Sequence, residues 1–155
     1  MEGDIPSTVM CAVVAMDTSN FCYRVCALCE GTVSDNNLCR SCSGLPGSKR
    51  SYRILLSVAW ETKVFVVVCF DRVARVLFGC SADEFFDLAK LNPLAVVTAG
   101  KVLEGEMFQM TFTKPKKGNA EHLRVASIVP LSTDFCPIAE SLKEIYRVGS
   151  SSSIR

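Results

Sequence analysis

Residues 26–42 have the sequence CALCEGTVSDNNLCRSC, in which nine residues separate two Cys-x-x-Cys pairs. Two residues between thiols let one tight turn direct both sulfurs at the same ion, and two such pairs complete a tetrahedral zinc site. Residues 30–38 are rich in turn formers, so they can bring the second pair back to face the first. The spacing therefore predicts one structural Zn²⁺ held by Cys26, Cys29, Cys39 and Cys42. The alternatives are a disulfide pair or buried thiols.

The other cysteines and the N-terminus bear on the redox compartment. The chain has nine cysteines, an odd number, and its first residues lack the basic and apolar regions of a secretory signal. Both observations favour a reducing compartment, in which thiols bind metal or stay buried. Cys22 is an alternative zinc ligand because it lies four residues before Cys26. The remaining cysteines outside the two pairs lie in apolar stretches and are predicted to be small buried hydrophobes: Cys11, Cys69, Cys80 and Cys136.

Composition excludes several classes of protein. The chain has 155 residues, 49% apolar and 21% charged, which is typical of one globular domain. No apolar run reaches the roughly 20 residues of a membrane span, so no membrane association is predicted. The formal net charge is +1, and four thiolates with one Zn²⁺ would add about −2, giving about −1. Nucleic-acid binding through bulk charge is therefore not predicted, and any such binding needs a local patch.

Alternating patterns predict the strands. In residues 51–60 Tyr52, Ile54, Leu56, Val58 and Trp60 alternate with more polar neighbours, and 63–70 is apolar on both faces, so the two runs form a hairpin. Further strands are predicted at 9–16, 106–113 and 121–129.

Capping signals predict the helices. Asp71 is predicted to be an N-cap of a helix ending at Gly79, and Ser81 with Glu84 is a capping box that opens the next helix. Asn92-Pro93 begins a third helix through Val102, and a last helix covers 137–146.

Together these elements predict a mainly β protein: a five-stranded OB-fold barrel with a zinc ribbon between strands one and two, helices between strands three and four, and a C-terminal helix. The predicted domain covers 9–147 and includes the ribbon at 22–48. Residues 1–8 are predicted to be a flexible N-terminus and 148–155 a disordered tail.

The predicted fold places the distinctive segments beside one groove. OB-folds bind oligonucleotides on strands two and three, between the one-two and four-five loops. Here the ribbon occupies the first loop and a basic turn the second, which predicts binding of nucleic acid. The candidate phosphate contacts are Lys49, Arg50, Arg53, Lys114, Lys116 and Lys117. The alternatives are a solvated strand edge for the first three and a solvated hairpin tip for the lysines.

Several motifs carry a resemblance to a known family. The thiol pairs, then Tyr52-Arg53-Ile54-Leu55-Leu56-Ser57-Val58, and later Ala74-Arg75-Val76-Leu77-Phe78-Gly79, resemble the C-terminal zinc-containing OB-fold of the replication protein A large subunit. The resemblance covers roughly residues 9–147. Within that family the chain is most similar to the N-terminal domain of noxin-like proteins, which act as suppressors of DNA damage-induced apoptosis.

The resemblance implies a nuclear single-stranded DNA-binding protein of replication or repair, with the cytoplasm as the alternative location and no secretion. It also implies that Phe70, at the end of strand three, stacks on a base, although Phe70 can equally be a core residue. The family's second stacking aromatic, in the four-five loop, is replaced here by Lys116 and Lys117.

No enzyme activity and no small-molecule substrate are predicted, because four thiolates close the coordination of zinc and no nucleophile–base pair is visible. A second hypothesis is a protein-interaction module. Its partner surface is the stripe of the last helix, which can equally cap its own barrel: Ile138, Leu142, Ile145 and Tyr146.

Overall fold

The computed structural model describes residues 5–31, 33, 42, 47–114 and 122–154, the last of these from 147 as backbone only. Within these ranges the chain forms six strands and four helices. They are β1 (Thr8–Met16), β2 (Cys22–Cys26), β3 (Ser48–Trp60), β4 (Lys63–Phe70), α1 (Asp71–Phe78), α2 (Ala82–Leu91), α3 (Ala95–Leu103), β5 (Met107–Thr113), β6 (Leu123–Pro130) and α4 (Ile138–Ile154).

Five of the strands close into a ring. Their order is β1-β5-β6-β4-β3, and an additional pairing of β1 with β3 completes the circle. β4 and β6 run parallel through Val67 and Leu123, whereas the other neighbours are antiparallel. This is the strand order of an OB-fold, with three helices between β4 and β5 and α4 after the last strand. The predicted fold class is confirmed.

The hairpin of β3 and β4 carries the centre of the core. Alternate residues of β3 point inward and are fully buried: Tyr52, Ile54, Leu56 and Val58. Burial of a side chain of this size contributes about 1.5–3 kcal/mol relative to exposure, so the alternation fixes which face of the strand is internal. The residues between them, such as Arg53, consequently lie on the outer face.

Strand β2 was not predicted from the sequence. It pairs with the first residues of β3, from Cys22 opposite Tyr52 to Cys26 opposite Ser48. Its sequence CYRVC shows no clear alternation of buried and exposed residues. The strand forms because β3, at 13 residues, begins at Ser48 rather than at the predicted Ser51 and offers a free edge for pairing. This non-local pairing continues the sheet into the base of the cysteine-rich segment.

The junction of β4 and α1 differs from the prediction in one respect. Phe70, in extended conformation with φ −96° and ψ 177°, is the N-cap of α1, so the prediction that Asp71 is the cap is wrong. The Asp71 carboxylate instead accepts hydrogen bonds from the Tyr52 backbone N–H and from Arg75 Nε. The capping box of Ser81 and Glu84 is confirmed at the start of α2.

The last helix is longer than predicted. α4 continues from Ile138 to Ile154, into the segment for which the sequence predicts a disordered tail. The predicted domain limits themselves remain a prediction. In the part of the chain that the structure describes, no helix has the length and hydropathy needed to cross a membrane.

Candidate metal centre and nucleic-acid interface

Three of the four predicted zinc ligands lie together. The Sγ atoms of Cys26, Cys29 and Cys42 are all within 4.8 Å of one another. Thiolates at about 2.3 Å from a tetrahedral Zn²⁺ are about 3.8 Å apart, so the spacing of this cluster suits a shared ion. The fourth predicted ligand, Cys39, lies outside the described residues. The chain can thus hold a metal ion here.

The backbone around the first thiol pair is shaped for anionic sulfur. Cys26 is the last residue of β2, and a turn over residues 27–29 returns the chain so that the Glu30 N–H bonds the Cys26 carbonyl at 3.0 Å. The N–H groups of Leu28 and Gly31 point at the sulfurs of Cys26 and Cys29, at 3.4 and 3.5 Å. Hydrogen bonds of this kind stabilise metal-bound thiolates.

The other cysteines differ from the cluster in environment. Burial raises the pKa of Cys11 to about 11 and that of Cys69 to about 12, which keeps both thiols protonated at neutral pH. Burial also raises the pKa of Cys22, the alternative ligand, which is not part of the thiol cluster among the described residues. The prediction that Cys136 is buried is wrong, since its side chain is exposed.

The register of β3 and β4 builds a second feature on the outer face of the sheet. Arg53 lies opposite Phe70, while the neighbouring pair, Ile54 and Cys69, faces the core. Paired residues of antiparallel strands point to the same side, so the guanidinium of Arg53 and the ring of Phe70 share this face. Phe70 is half-buried and Arg53 is exposed.

Arg124, on β6, lies beside Phe70 on this face and was missed by the sequence analysis. It pairs with Val68, two residues before Phe70, and its Cζ lies 4.7 Å from the centroid of the Phe70 ring. The signal that identifies it is the alternation of β6, in which exposed Arg124 precedes buried Val125. Sequence reasoning considered basic residues only in the loops and at the start of β3.

The start of the four-five connection lies beside this arginine. Thr113, the last residue of β5, pairs with Arg124, and exposed Lys114 follows directly. Lys116 and Lys117 lie outside the described residues. We call Arg53, Phe70, Lys114 and Arg124 the cationic platform: Arg53 is the strand partner of Phe70, Arg124 lies over its ring, and Lys114 follows the residue that pairs with Arg124.

Two other predicted phosphate contacts have partners within the chain. Lys49 Nζ lies 2.8 Å from a carboxylate oxygen of Glu30. Arg50 forms an ion pair with Asp83 at 3.0 Å, and its guanidinium lies 3.5 Å from the centre of the Phe86 ring. By strand alternation Arg50 points to the opposite side from Arg53. Arg50 therefore joins the base of the ribbon to α2, away from the platform.

The stripe of the C-terminal helix is largely internal. Ile138 and Leu142 are fully buried in the core of this chain, and Tyr146 packs partly against it. Ile145, 48% exposed, is the member of the stripe that faces solvent. This is the self-capping arrangement that the sequence analysis gave as the alternative to partner binding.

The five-strand ring in OB order, with the thiol cluster between its first two strands, defines an OB-fold domain that carries a cysteine-rich ribbon. The profile of the Replication factor-A C terminal domain matches residues 7–129. Because this match spans most of the sequence, the chain belongs to that family. A comparison with curated proteins finds no match.

Two solved structures share the fold. A replication protein A heterotrimer bound to ssDNA matches with a TM-score of 0.66 and 19% identity, over 91% of this chain and 34% of that chain. Yeast RPA bound to ssDNA matches with a TM-score of 0.66 and 17% identity, over 97% of this chain and 90% of that chain. This chain thus spans about a third of the length of the first chain it matches. The resemblance to noxin-like proteins remains a prediction.

Proposed function

We propose that this chain is a single-stranded DNA-binding OB-fold module of a nuclear DNA replication, repair or damage-response protein. The observation that carries the proposal is the cationic platform, whose Arg53 and Phe70 lie on the two strands that OB-folds use for oligonucleotides. An aromatic ring stacks on any base, and the two arginines beside it, with Lys114 at the start of the four-five connection, suit phosphate. Family membership and the similarity to two ssDNA-bound structures support the same conclusion.

The metal in this proposal is one structural Zn²⁺. Cys26, Cys29 and Cys42, completed by Cys39, would give a four-thiolate set with no open coordination position. Such a site folds the ribbon and supplies no catalysis, so the proposed module is not an enzyme and takes no small-molecule substrate. Zinc content measured by mass spectrometry on protein purified without chelator should be one ion per chain.

The proposal is tested by fluorescence anisotropy with labelled oligo-dT at low salt. About three phosphate contacts predict a slope near −2 in log K against log salt. Duplex DNA of the same length should compete poorly, because its bases are not available to stack on Phe70. Absence of micromolar binding by the zinc-loaded protein would contradict the proposal.

A second candidate is a protein-interaction module that keeps the OB-fold but binds nucleic acid weakly or not at all. The outer face at the start of β4, away from Phe70, favours it, because Val64 and Val66 there are 63% and 37% exposed and uncharged. Ile145 provides a further exposed apolar side chain. This alternative would be supported if the zinc-loaded monomer did not bind oligo-dT but captured a protein partner, and if Ile145→Glu abolished that capture.

A further inference from the structure

Tyr23 is an exposed aromatic residue of β2 that neither the core nor the cationic platform uses. Its side chain is 38% exposed, in contrast to Tyr52, which is fully buried. The neighbouring aromatic, Phe21, packs edge-to-face on Phe85 at 5.2 Å. Within the described part of the chain, Tyr23 has no such ring contact and no side-chain hydrogen bond. An exposed ring of this kind is suited to an external ligand.

The register places Tyr23 on the same face as Phe70. Tyr23 lies opposite Ser51, which precedes Arg53 by two residues, and Arg53 lies opposite Phe70. Directly paired residues share a face, and so do residues two apart in one strand. The two rings are therefore on one surface, separated by β3.

Their separation follows from sheet geometry. Two strand spacings give about 10 Å across the sheet, and the two-residue offset between Ser51 and Arg53 gives about 7 Å along it. Arg53 lies between the two rings, where it can hold a phosphate of a strand whose bases stack on either side. Arg124 continues the surface beyond Phe70.

We propose that Tyr23 is the second base-stacking residue of this domain, taking over from the aromatic that the four-five loop lacks. The inference rests on the proposed function and adds a direction to it. A single strand would cross from Phe70 over Arg53 to Tyr23 and end beside the thiol cluster, which begins three residues later at Cys26. β2, which leads into the thiol cluster, then forms part of the binding surface itself.

The test compares two substitutions of Tyr23 with one at Phe70, using labelled oligo-dT and the zinc-loaded chain. Tyr23→Leu and Phe70→Leu should each weaken binding by roughly fivefold or more, and Tyr23→Leu should leave the salt slope unchanged because no charge is lost. Tyr23→Phe keeps the ring and should bind within about twofold of wild type. Arg24→Gln is the matched control, since Arg24 points to the other side of β2 and its guanidinium bonds Ser48 Oγ at 2.9 Å.

A direct measurement separates stacking from an effect on folding. Tyr23→Trp adds a second tryptophan to Trp60. The part of the fluorescence that wild type lacks should be quenched by oligo-dT, and the midpoint of this quenching should equal the midpoint of the anisotropy titration. Unchanged binding by Tyr23→Leu, alongside weakened binding by Phe70→Leu, would overturn this inference and leave the proposed function standing. Loss of zinc from Tyr23→Leu together with loss of binding would also overturn it, because the residue would then act through the ribbon fold. No binding by wild type would contradict the proposed function first.

Discussion

The guanidinium of Arg124 covers one face of the Phe70 ring, with 4.7 Å between Cζ and the ring centroid. The two residues come from β6 and β4, which pair in parallel within the five-strand ring. In the DNA-binding proposal the pair acts as one unit: the arginine fixes the ring, and its charge lies where a phosphate would follow a stacked base. The following substitutions separate these two roles.

Arg124→Lys keeps the positive charge but removes the planar group that lies on the ring. We expect this variant to keep the salt slope of oligo-dT binding and to lose about 0.5–1 kcal/mol of binding free energy. Arg124→Gln should in addition reduce the magnitude of the slope by about 0.7, the contribution of one phosphate contact on a single strand. The measurement is anisotropy across a salt series.

Lys101→Gln is the control for this series, because it removes an exposed positive charge from α3, which lies outside the platform strands. It should leave both affinity and slope unchanged. If Arg124→Gln has the slope of wild type, the guanidinium packs on Phe70 without contacting phosphate.

For Arg50, unlike Arg124, we expect a substitution to affect stability rather than DNA binding. Its ion pair with Asp83 at 3.0 Å and its position over Phe86 tie the start of β3 to α2. Arg50→Ala should therefore lower the free energy of unfolding, by about 1–2 kcal/mol, and change the intrinsic affinity for oligo-dT little. Urea unfolding and anisotropy on the same preparations check this. Weaker DNA binding at unchanged stability would instead restore Arg50 as a phosphate contact.

The contrast between Arg50 and Arg53 shows what the sequence could predict. Alternation in β3 identified the buried residues and therefore the outer face, because the pattern is local to one strand. The partner of Arg50 is 33 positions away in the chain, and its position depends on how α2 packs on β3. No local pattern reports such a contact, so both arginines resembled phosphate contacts.

The same distinction between local patterns and long-range contacts applies to other features of the chain. The thiol pairs and the capping box of Ser81 and Glu84 depend on spacings of three residues. The structure contains the box, and it brings three of the four predicted thiols together. Strand β2 and Arg124 depend instead on pairing between strands distant in sequence. Only the pairing of β2 with β3 shows on which side of the sheet Tyr23 lies, so the sequence alone did not identify it as a stacking residue.

The capping box makes stability depend on pH. The Ser81 backbone N–H, at 2.9 Å, and its hydroxyl hold the pKa of Glu84 below its ordinary value. The folded protein then binds this proton less readily than the unfolded chain, so the stabilisation is present above the unfolded pKa and is lost as pH falls through the folded one. The melting temperature of Glu84→Gln should thus fall less on acidification than that of wild type.

Ser81→Ala serves as the comparison, since it removes the hydroxyl but keeps the backbone N–H. It should retain part of the dependence on Glu84. Identical acid profiles for wild type and Glu84→Gln would show that the box does not contribute through its charge.

Removing one thiol should show which properties depend on the metal site and which depend on the five-strand ring. Cys42→Ser breaks the cluster, whereas Cys136→Ser removes an exposed thiol outside it. We expect Cys42→Ser to lose bound zinc and oligo-dT affinity while keeping the cooperative unfolding of the ring, because the core around Ile54 and Phe108 includes none of the three clustered cysteines. Cys136→Ser should keep one zinc ion and full affinity. Zinc content, anisotropy and urea unfolding measure these three properties. If Cys42→Ser loses zinc and still binds oligo-dT like wild type, the metal site contributes nothing to the interface.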